Sequence, residues 1–158
     1  MVEATDLLDR RAVRLDETAT DRDDAIRQCG QILIGIGAVD PTYVDAMLAR
    51  ERLISTYVGE GVAIPHGTLD GKAAVRRDAL AVVRFPDGVD WDGHQVSVCV
   101  AIAAHADGPS HHVLAELAEI LLDPHRAAAL RAATDVDEVI RLLTPAPEGA
   151  LAREDGTQ

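Results

Sequence analysis

Aromatic residues are scarce in this chain, which holds one Trp, one Phe and two Tyr among its 158 residues. A core of stacked rings is therefore excluded, and the 47% of hydrophobic residues must build it mainly from Ala, Val, Leu and Ile. Aliphatic cores of this kind suit helices that pack on a sheet. A chain of this length buries about two-thirds of its unfolded surface without cross-links, so a single domain is the default. We predict an α/β fold with helices on both faces of a small sheet.

Cysteine is almost absent as well. The chain has only Cys29 and Cys99, each inside an apolar pattern, so a disulfide framework is excluded and reduced core thiols are expected. The six histidines include no pair at i, i+3 or i, i+4 on a predicted helix, and neither Cys lies within four residues of any of them. Zinc sites use such spacings, so a metal site is disfavoured, and we expect no metal and no cofactor.

Basic residues are outnumbered, since 15 Lys and Arg stand against 27 Asp and Glu and the formal net charge is -12. Clustered Lys and Arg bind phosphate backbones, so no nucleic-acid partner is expected, and an anionic membrane surface is disfavoured for the same reason. No segment reaches the roughly 18 apolar residues that span a bilayer. The start, Met1 to Asp6, lacks the basic region and apolar block of a secretory signal. We expect a cytoplasmic protein with no direct membrane insertion.

Capping residues predict where the helices begin. Thr20 or Asp21 precedes a helix with apolar residues at helical spacing, which the Gly35/Gly37 pair ends. Asp40-Pro41 predicts the start of a second helix, which runs toward Arg50 and Glu51. Further helix starts are predicted at Ser110, at Asp123-Pro124 and at Thr134, and Thr134 with Asp137 resembles a capping box.

Two segments have the character of strands. Residues 79–85 predict one strand, Pro86-Asp87-Gly88 a turn, and residues 96–104 a long and almost wholly apolar strand. A strand of the latter kind typically lies in the middle of a sheet that is covered on both faces. Residues 145–158 contain Pro, Gly and scattered charge with little to bury. We therefore predict one folded domain over residues 1–144 and a disordered tail over residues 145–158.

The most informative segment runs from Gly59 to Thr68 and holds Pro65-His66-Gly67. Proline fixes φ before His66, and glycine after it lets a partner approach the backbone. One interpretation is that this pattern presents an imidazole for nucleophilic or proton-transfer chemistry near neutral pH. The alternative is that His66 is only a turn residue. Arg50 and Glu60 precede His66, and a guanidinium there can neutralise a phosphoryl group while a carboxylate can orient the ring. The alternative is that Arg50 and Glu51 are solvated charges at a helix end.

The remaining histidines differ in what they suggest. His94 and His125 are expected to be solvated surface residues, and His105 is a weak candidate at the end of the apolar strand. His111 and His112 follow Ser110 at a predicted helix start, where backbone N–H groups and the helix dipole favour an anion such as phosphate.

The segment from Tyr43 to Val75 resembles the mannitol/fructose-type IIA component of the bacterial phosphoenolpyruvate-dependent sugar phosphotransferase system. It is most similar to the mannitol branch, whose signature is an Arg-Glu-Lys-Leu helix end, a Thr-Tyr-Leu-Gly-Glu segment and Pro-His-Gly-Thr. The resemblance extends over roughly residues 6 to 144. The matching residues here are Arg50 to Leu53, Thr56 to Glu60, Pro65 to Thr68, Pro86 to Val89, Ile102 to Ala104 and Val136 to Val139.

This resemblance implies a mixed central β-sheet flanked by helices on both faces and a phosphoryl carrier. His66 would accept a phosphoryl group from phospho-HPr and pass it to a cysteine of the sugar-specific IIB component, for uptake of a sugar or sugar alcohol such as mannitol. Arg50 would help to neutralise the phosphoryl oxygens, and Glu60 would shape the site or contact the partner. A neutral imidazole is a competent nucleophile near pH 7, and loose phosphoryl transfer needs positioning and charge stabilisation rather than a metal.

The family also places a second active-site histidine seven residues before a core leucine. Here Ser110 is seven residues before Leu117, while His111 and His112 are six and five before it. Each step around a helix turns a side chain by about 100°, so these positions point in different directions. We predict one of the two histidines, preferably His111, as the auxiliary residue, with Ser110 and the helix N-terminus as the substitute. A different class of function on the same fold is a regulatory IIA module, whose phosphorylation state controls another protein.

Overall fold

The computed structural model describes residues 8–104 and 119–143. The predicted helix start at Ser110, the histidines His105, His111 and His112, and the predicted tail over residues 145–158 lie outside the described residues.

A mixed five-stranded sheet forms the centre of the described part of the chain. Its strands are β1 (Leu8–Arg14), β2 (Tyr57–Gly59), β3 (Val62–Ala63), β4 (Ala79–Trp91) and β5 (His94–Ala103). Their spatial order is β1-β4-β5-β3-β2. The β1–β4 and β3–β5 pairs are parallel, and the β4–β5 and β2–β3 pairs are antiparallel, which confirms the mixed sheet.

Helices cover both faces of this sheet, as predicted. They are α1 (Arg22–Gly35), α2 (Thr42–Leu53), α3 (Pro124–Arg131) and α4 (Val136–Leu143), with a 3-10 helix over Leu69–Ala74. Helices α1 and α2 pack with alternate residues of β4 such as Ala81 and Val83, whereas α3 and α4 pack with Leu80 and Val82. Successive residues of a strand point to opposite faces, so β4 serves both cores and is apolar on both sides.

Two predicted caps are confirmed. The Asp21 carboxylate accepts a hydrogen bond from the Asp24 backbone N–H at 2.8 Å and begins α1. The Asp123 carboxylate accepts one from the His125 backbone N–H at 2.9 Å and begins α3. Both bonds satisfy N–H groups that the first helical turn leaves without a partner.

Two other predicted caps are wrong in detail. The Asp40 carboxylate does not cap α2, because it pairs instead with the Arg76 guanidinium at 2.5 Å. Helix α4 begins with a reciprocal pair of bonds that is close to a capping box but is centred on Asp135, one residue after the predicted cap. Asp135 accepts from the Glu138 N–H at 2.8 Å, and Glu138 accepts from the Thr134 N–H at 3.3 Å.

The predicted turn at Pro86-Asp87-Gly88 is also wrong, because β4 runs through it to Trp91. These residues form an irregular stretch where the register with β5 shifts, so the missing N–H of exposed Pro86 breaks no regular ladder bond. The hairpin turns instead at Asp92 and Gly93, whose φ angles are 55° and 93°. Positive φ at both central residues is what a type I′ turn, one of the favoured two-residue hairpin turns, requires.

None of the helices in the described ranges is long and apolar enough to cross a membrane.

Candidate active site

His66 lies just beyond β3, beside the C-terminal end of β5. The Ile102 backbone N–H donates to the Pro65 carbonyl at 2.9 Å, and His66 and Ile102 form an isolated parallel bridge. The chain therefore continues alongside β5 after β3 has formally ended. This pairing fixes the peptide unit that precedes the histidine.

Tyr43 of α2 fixes the peptide unit that follows it. Its hydroxyl donates to the Ile102 carbonyl at 2.9 Å and accepts from the Gly67 N–H at 2.9 Å, and only 3% of the side chain is exposed. A Cβ atom at position 67 would lie 2.6 Å from Cε1 of the Tyr43 ring. Glycine after His66 is thus required by the close approach of this ring. The single residue Ile102 anchors the backbone on both sides of His66, once directly and once through Tyr43.

The His66 ring has a defined orientation. Its Nδ1 lies 2.8 Å from the Ile64 carbonyl oxygen. A carbonyl can only accept, so Nδ1 carries the proton and the neutral ring keeps its lone pair on Nε2. Burial lowers the pKa of His66, and the Arg50 charge lowers it further, while the Ile64 hydrogen bond and the Glu51 charge act in the opposite direction. The balance keeps the imidazole neutral near pH 7, which is the nucleophilic form.

Arg50 lies in the last turn of α2, near enough for its charge to act on the His66 ring. Its Nη1 donates to the Ile54 carbonyl, just past the helix end, at 2.6 Å. This bond holds the guanidinium near the helix terminus, although the side chain stays partly exposed. The planar guanidinium has further N–H groups that can bind oxygen atoms of an incoming anion.

Glu60 occupies a tight turn between β2 and β3. Its φ is 55°, and the flanking Gly59 and Gly61 have φ values of 100° and 77°. The side chain is exposed, and its backbone carbonyl accepts a hydrogen bond from the Arg131 guanidinium. Within residues 8–104 and 119–143, the charged groups that act on His66 are Arg50 and Glu51 rather than Glu60. The position of Glu60 thus suits contact with a partner more than orientation of the ring.

Glu51 is the residue that the sequence interpretation missed. The view of it as a solvated helix-end charge is wrong, since its side chain is only 3% exposed. Its Oε2 accepts from the Thr56 backbone N–H at 2.9 Å and from the Trp91 Nε1–H at 2.9 Å, and its Oε1 accepts from the Thr56 hydroxyl at 2.5 Å. Helical spacing from the buried residues Met47 and Leu48 puts position 51 on the buried face, and that signal could have revealed it.

The other candidate residues within the described ranges are two histidines and the two cysteines. His94 and His125 are exposed, as predicted, and the His94 ring stacks on Tyr57 with centroids 4.4 Å apart. Cys29 and Cys99 are free, buried thiols, also as predicted. Burial raises the pKa of Cys99, and contact with Cys29 raises it further. Over residues 8–104 and 119–143, no three His, Cys, Asp or Glu side chains gather in a way that could hold a metal ion.

Comparison with known proteins defines the class to which this fold and site belong. A "Multiphosphoryl transfer protein" of Xanthomonas campestris is 41% identical over 84% of this chain, which spans only 16% of that longer protein. A "Mannitol-specific phosphotransferase enzyme IIA component" of Halalkalibacterium halodurans is 34% identical over 87% of this chain and 94% of its own length. A chain in the solved complex of enzyme IIA-mannitol with phosphorylated enzyme IIB-mannitol from Escherichia coli superimposes with a TM-score of 0.77. It is 34% identical, and the match covers 87% of this chain and 98% of that one.

The chain is therefore a IIA-type phosphotransferase component. The model of the family "Phosphoenolpyruvate-dependent sugar phosphotransferase system, EIIA 2" matches residues 6–145, and the chain belongs to that family.

Proposed function

We propose that this protein is a cytoplasmic phosphoryl carrier of a sugar phosphotransferase system. His66 accepts a phosphoryl group from phospho-HPr and passes it to a cysteine of a IIB domain, for uptake and phosphorylation of a sugar or sugar alcohol such as mannitol. The observation that carries the proposal is the hydrogen bond from His66 Nδ1 to the Ile64 carbonyl at 2.8 Å, which leaves Nε2 as the free nucleophile. The family match and the relatives named for mannitol-specific IIA support the same function.

The transfer is balanced without a metal or another co-reactant. The lone pair on Nε2 of His66 forms the new bond to phosphorus. The bond from phosphorus to the donor atom breaks, and the electron pair of that bond leaves with the donor atom. The Nδ1 proton stays on the ring, held by the Ile64 carbonyl. In the second transfer a IIB thiolate attacks phosphorus, and the electron pair of the broken bond returns to Nε2. A loose transition state of this kind needs positioning and charge stabilisation above all.

The other predicted site residues take supporting parts in this proposal. The guanidinium of Arg50 neutralises the phosphoryl oxygens, and its charge already acts on the His66 ring. Glu60 contacts the partner from its exposed turn. One of His111 and His112 is the auxiliary histidine, within a single domain over residues 1–144. The first of the relatives described above is much longer than this chain, so these assignments concern the matched region alone.

The test is labelling with phosphate from phosphoenolpyruvate through enzyme I and HPr. We expect wild type to take up one acid-labile, base-stable phosphoryl group, and His66→Ala to take up none. His94→Ala is the matched control, because His94 is exposed and takes no part in the proposed transfer, and it should label like wild type. Labelling that persists in His66→Ala would refute the proposal.

A further inference from the structure

Glu51 is a buried carboxylate that the transfer described above does not use. A carboxylate in the interior is costly unless other groups satisfy its oxygens. Both oxygens of Glu51 are satisfied, by the N–H and the hydroxyl of Thr56 and by the indole N–H of Trp91. All three partners donate in this arrangement, so the group accepts every bond, which is the bonding pattern of a carboxylate. These hydrogen bonds hold the carboxylate in one place inside the domain.

The carboxylate and the histidine are coupled electrostatically. Glu51 directly follows Arg50 in the last turns of α2, and its field acts on the His66 ring with a sign opposite to that of Arg50. Its partners belong to two other parts of the fold, since Thr56 begins the segment that leads into β2 and Trp91 ends β4. The carboxylate thus ties the end of α2, which carries Arg50, to the sheet.

The charge of His66 changes during phosphoryl transfer. Its neutral ring becomes an N-phosphoimidazolium when Nε2 bonds phosphorus and Nδ1 keeps its proton, and it becomes neutral again when the group leaves. Arg50 stabilises the phosphoryl oxygens but opposes the positive charge of the ring, because both are cationic. An anion whose field acts on the ring offsets this repulsion. Because the site is organised in advance, no reorganisation is needed during transfer.

We propose that Glu51 is a positioning residue that fixes the Arg50 end of α2 and supplies the counter-charge for the cationic ring of phosphorylated His66. The proposal rests on the proposed transfer at His66. In the described part of the fold, the charged groups that act on His66 are Arg50 and Glu51, both from α2. Tyr43 of the same helix bonds the adjacent Gly67 N–H, and burial raises its pKa, so it is neutral. The ends of β3 and β5 present the backbone of Ile64 and Ile102.

The first experiment measures the ring pKa of unphosphorylated His66 by NMR titration. We expect Glu51→Gln to lower this pKa by about half a unit or more, which equals about a threefold change in the protonation equilibrium. Glu138→Gln, a matched loss of charge on α4 at the opposite face of the sheet, should leave it unchanged. Glu51→Asp keeps the charge and should restore much of the wild-type pKa even if the protein is less stable. A purely structural role would instead make the Gln and Asp variants alike, and that result overturns the proposal.

The second experiment measures the equilibrium of transfer between phospho-HPr and the protein. We expect Glu51→Gln to reduce the equilibrium constant for transfer from phospho-HPr by about threefold or more, because the cationic ring loses its counter-charge. An unchanged equilibrium in a folded Glu51→Gln protein overturns the proposal. Failure of wild type to accept phosphate at all would instead refute the proposed function, and the titration of unphosphorylated His66 would be unaffected.

A third measurement covers the case in which Glu51→Gln does not fold. The carboxyl carbon resonance of Glu51 is followed from pH 5 to pH 8 in the wild-type protein and in His66→Gln. Because coupling between two charges is reciprocal, the wild-type resonance should show an inflection at the pKa of His66, and this inflection should vanish in His66→Gln. A wild-type resonance without that inflection overturns the proposal.

Discussion

Replacing Tyr43 by Phe removes one oxygen atom and, with it, both hydrogen bonds that hold the peptide after His66. The ring is 3% exposed and remains in place, so the substitution opens no cavity beyond the size of the hydroxyl. The N–H of Gly67 and the carbonyl of Ile102 each lose a partner at 2.9 Å. A typical hydrogen bond contributes about 1 kcal/mol, and a buried group left without a partner costs about 1–3 kcal/mol. We expect the free energy of unfolding to fall by about 2 kcal/mol.

Equilibrium unfolding in urea measures this difference, with Tyr57→Phe as the matched control. Among the described residues, the Tyr57 hydroxyl accepts one long bond, from the Gly61 N–H at 3.4 Å, so its removal should cost less than about 0.5 kcal/mol. Tyr43→Phe should also slow phosphorylation of His66, because the flanking backbone is held on one side only. A Tyr43→Phe protein as stable as the Tyr57→Phe protein would show that these bonds do not anchor the loop.

Two further predictions concern stability. At Gly30 of α1 a Cβ atom would lie 2.6 Å from Cγ2 of Val44, so Gly30→Ala should destabilise by about 1–3 kcal/mol despite the better helix propensity of Ala. Gly35→Ala, in the same helix with nothing within 4 Å, should be neutral or stabilising in urea unfolding, and a similar loss for both would contradict the close packing. Because burial lowers the pKa of folded His66 below its unfolded value, the unfolded chain binds more protons in the acid range. Wild type should therefore lose more unfolding free energy than His66→Gln as pH falls from 7 through the folded pKa of His66, and equal losses would contradict the shift.

Local chemistry explains which parts of the fold were predictable. Asp21 and Asp123 cap helices because the N–H groups they bind lie within three residues of them. Asp40 carries the same signal, yet Arg76 takes its carboxylate, and no short-range pattern reveals a partner so distant in sequence. The turn predicted at Pro86 is wrong because the register between β4 and β5 shifts at this point, and a strand tolerates proline there. That shift depends on the partner strand and is not visible in the local sequence.

The candidate active site likewise has features that the sequence predicts and features that it does not. His66 was predictable because its turn carries its own signals, and the proximity of Arg50 was predictable only through the family resemblance. The burial of Glu51 follows from its helical spacing to Met47 and Leu48, but its partner Trp91 is contributed by the far end of another strand. The function of Tyr43 depends on Ile102 in the same way. Contacts of this kind arise from topology, and the periodicity of one segment does not encode them.

The anchoring of His66 by Ile102 also bears on how the site can vary in evolution. Residue 102 acts through its N–H and its carbonyl, which every amino acid except proline provides. Selection on the phosphoryl-accepting loop therefore leaves the side chain at this position free to change with its neighbours. In an alignment of relatives the position would look unremarkable, and its importance would be visible only as the exclusion of proline.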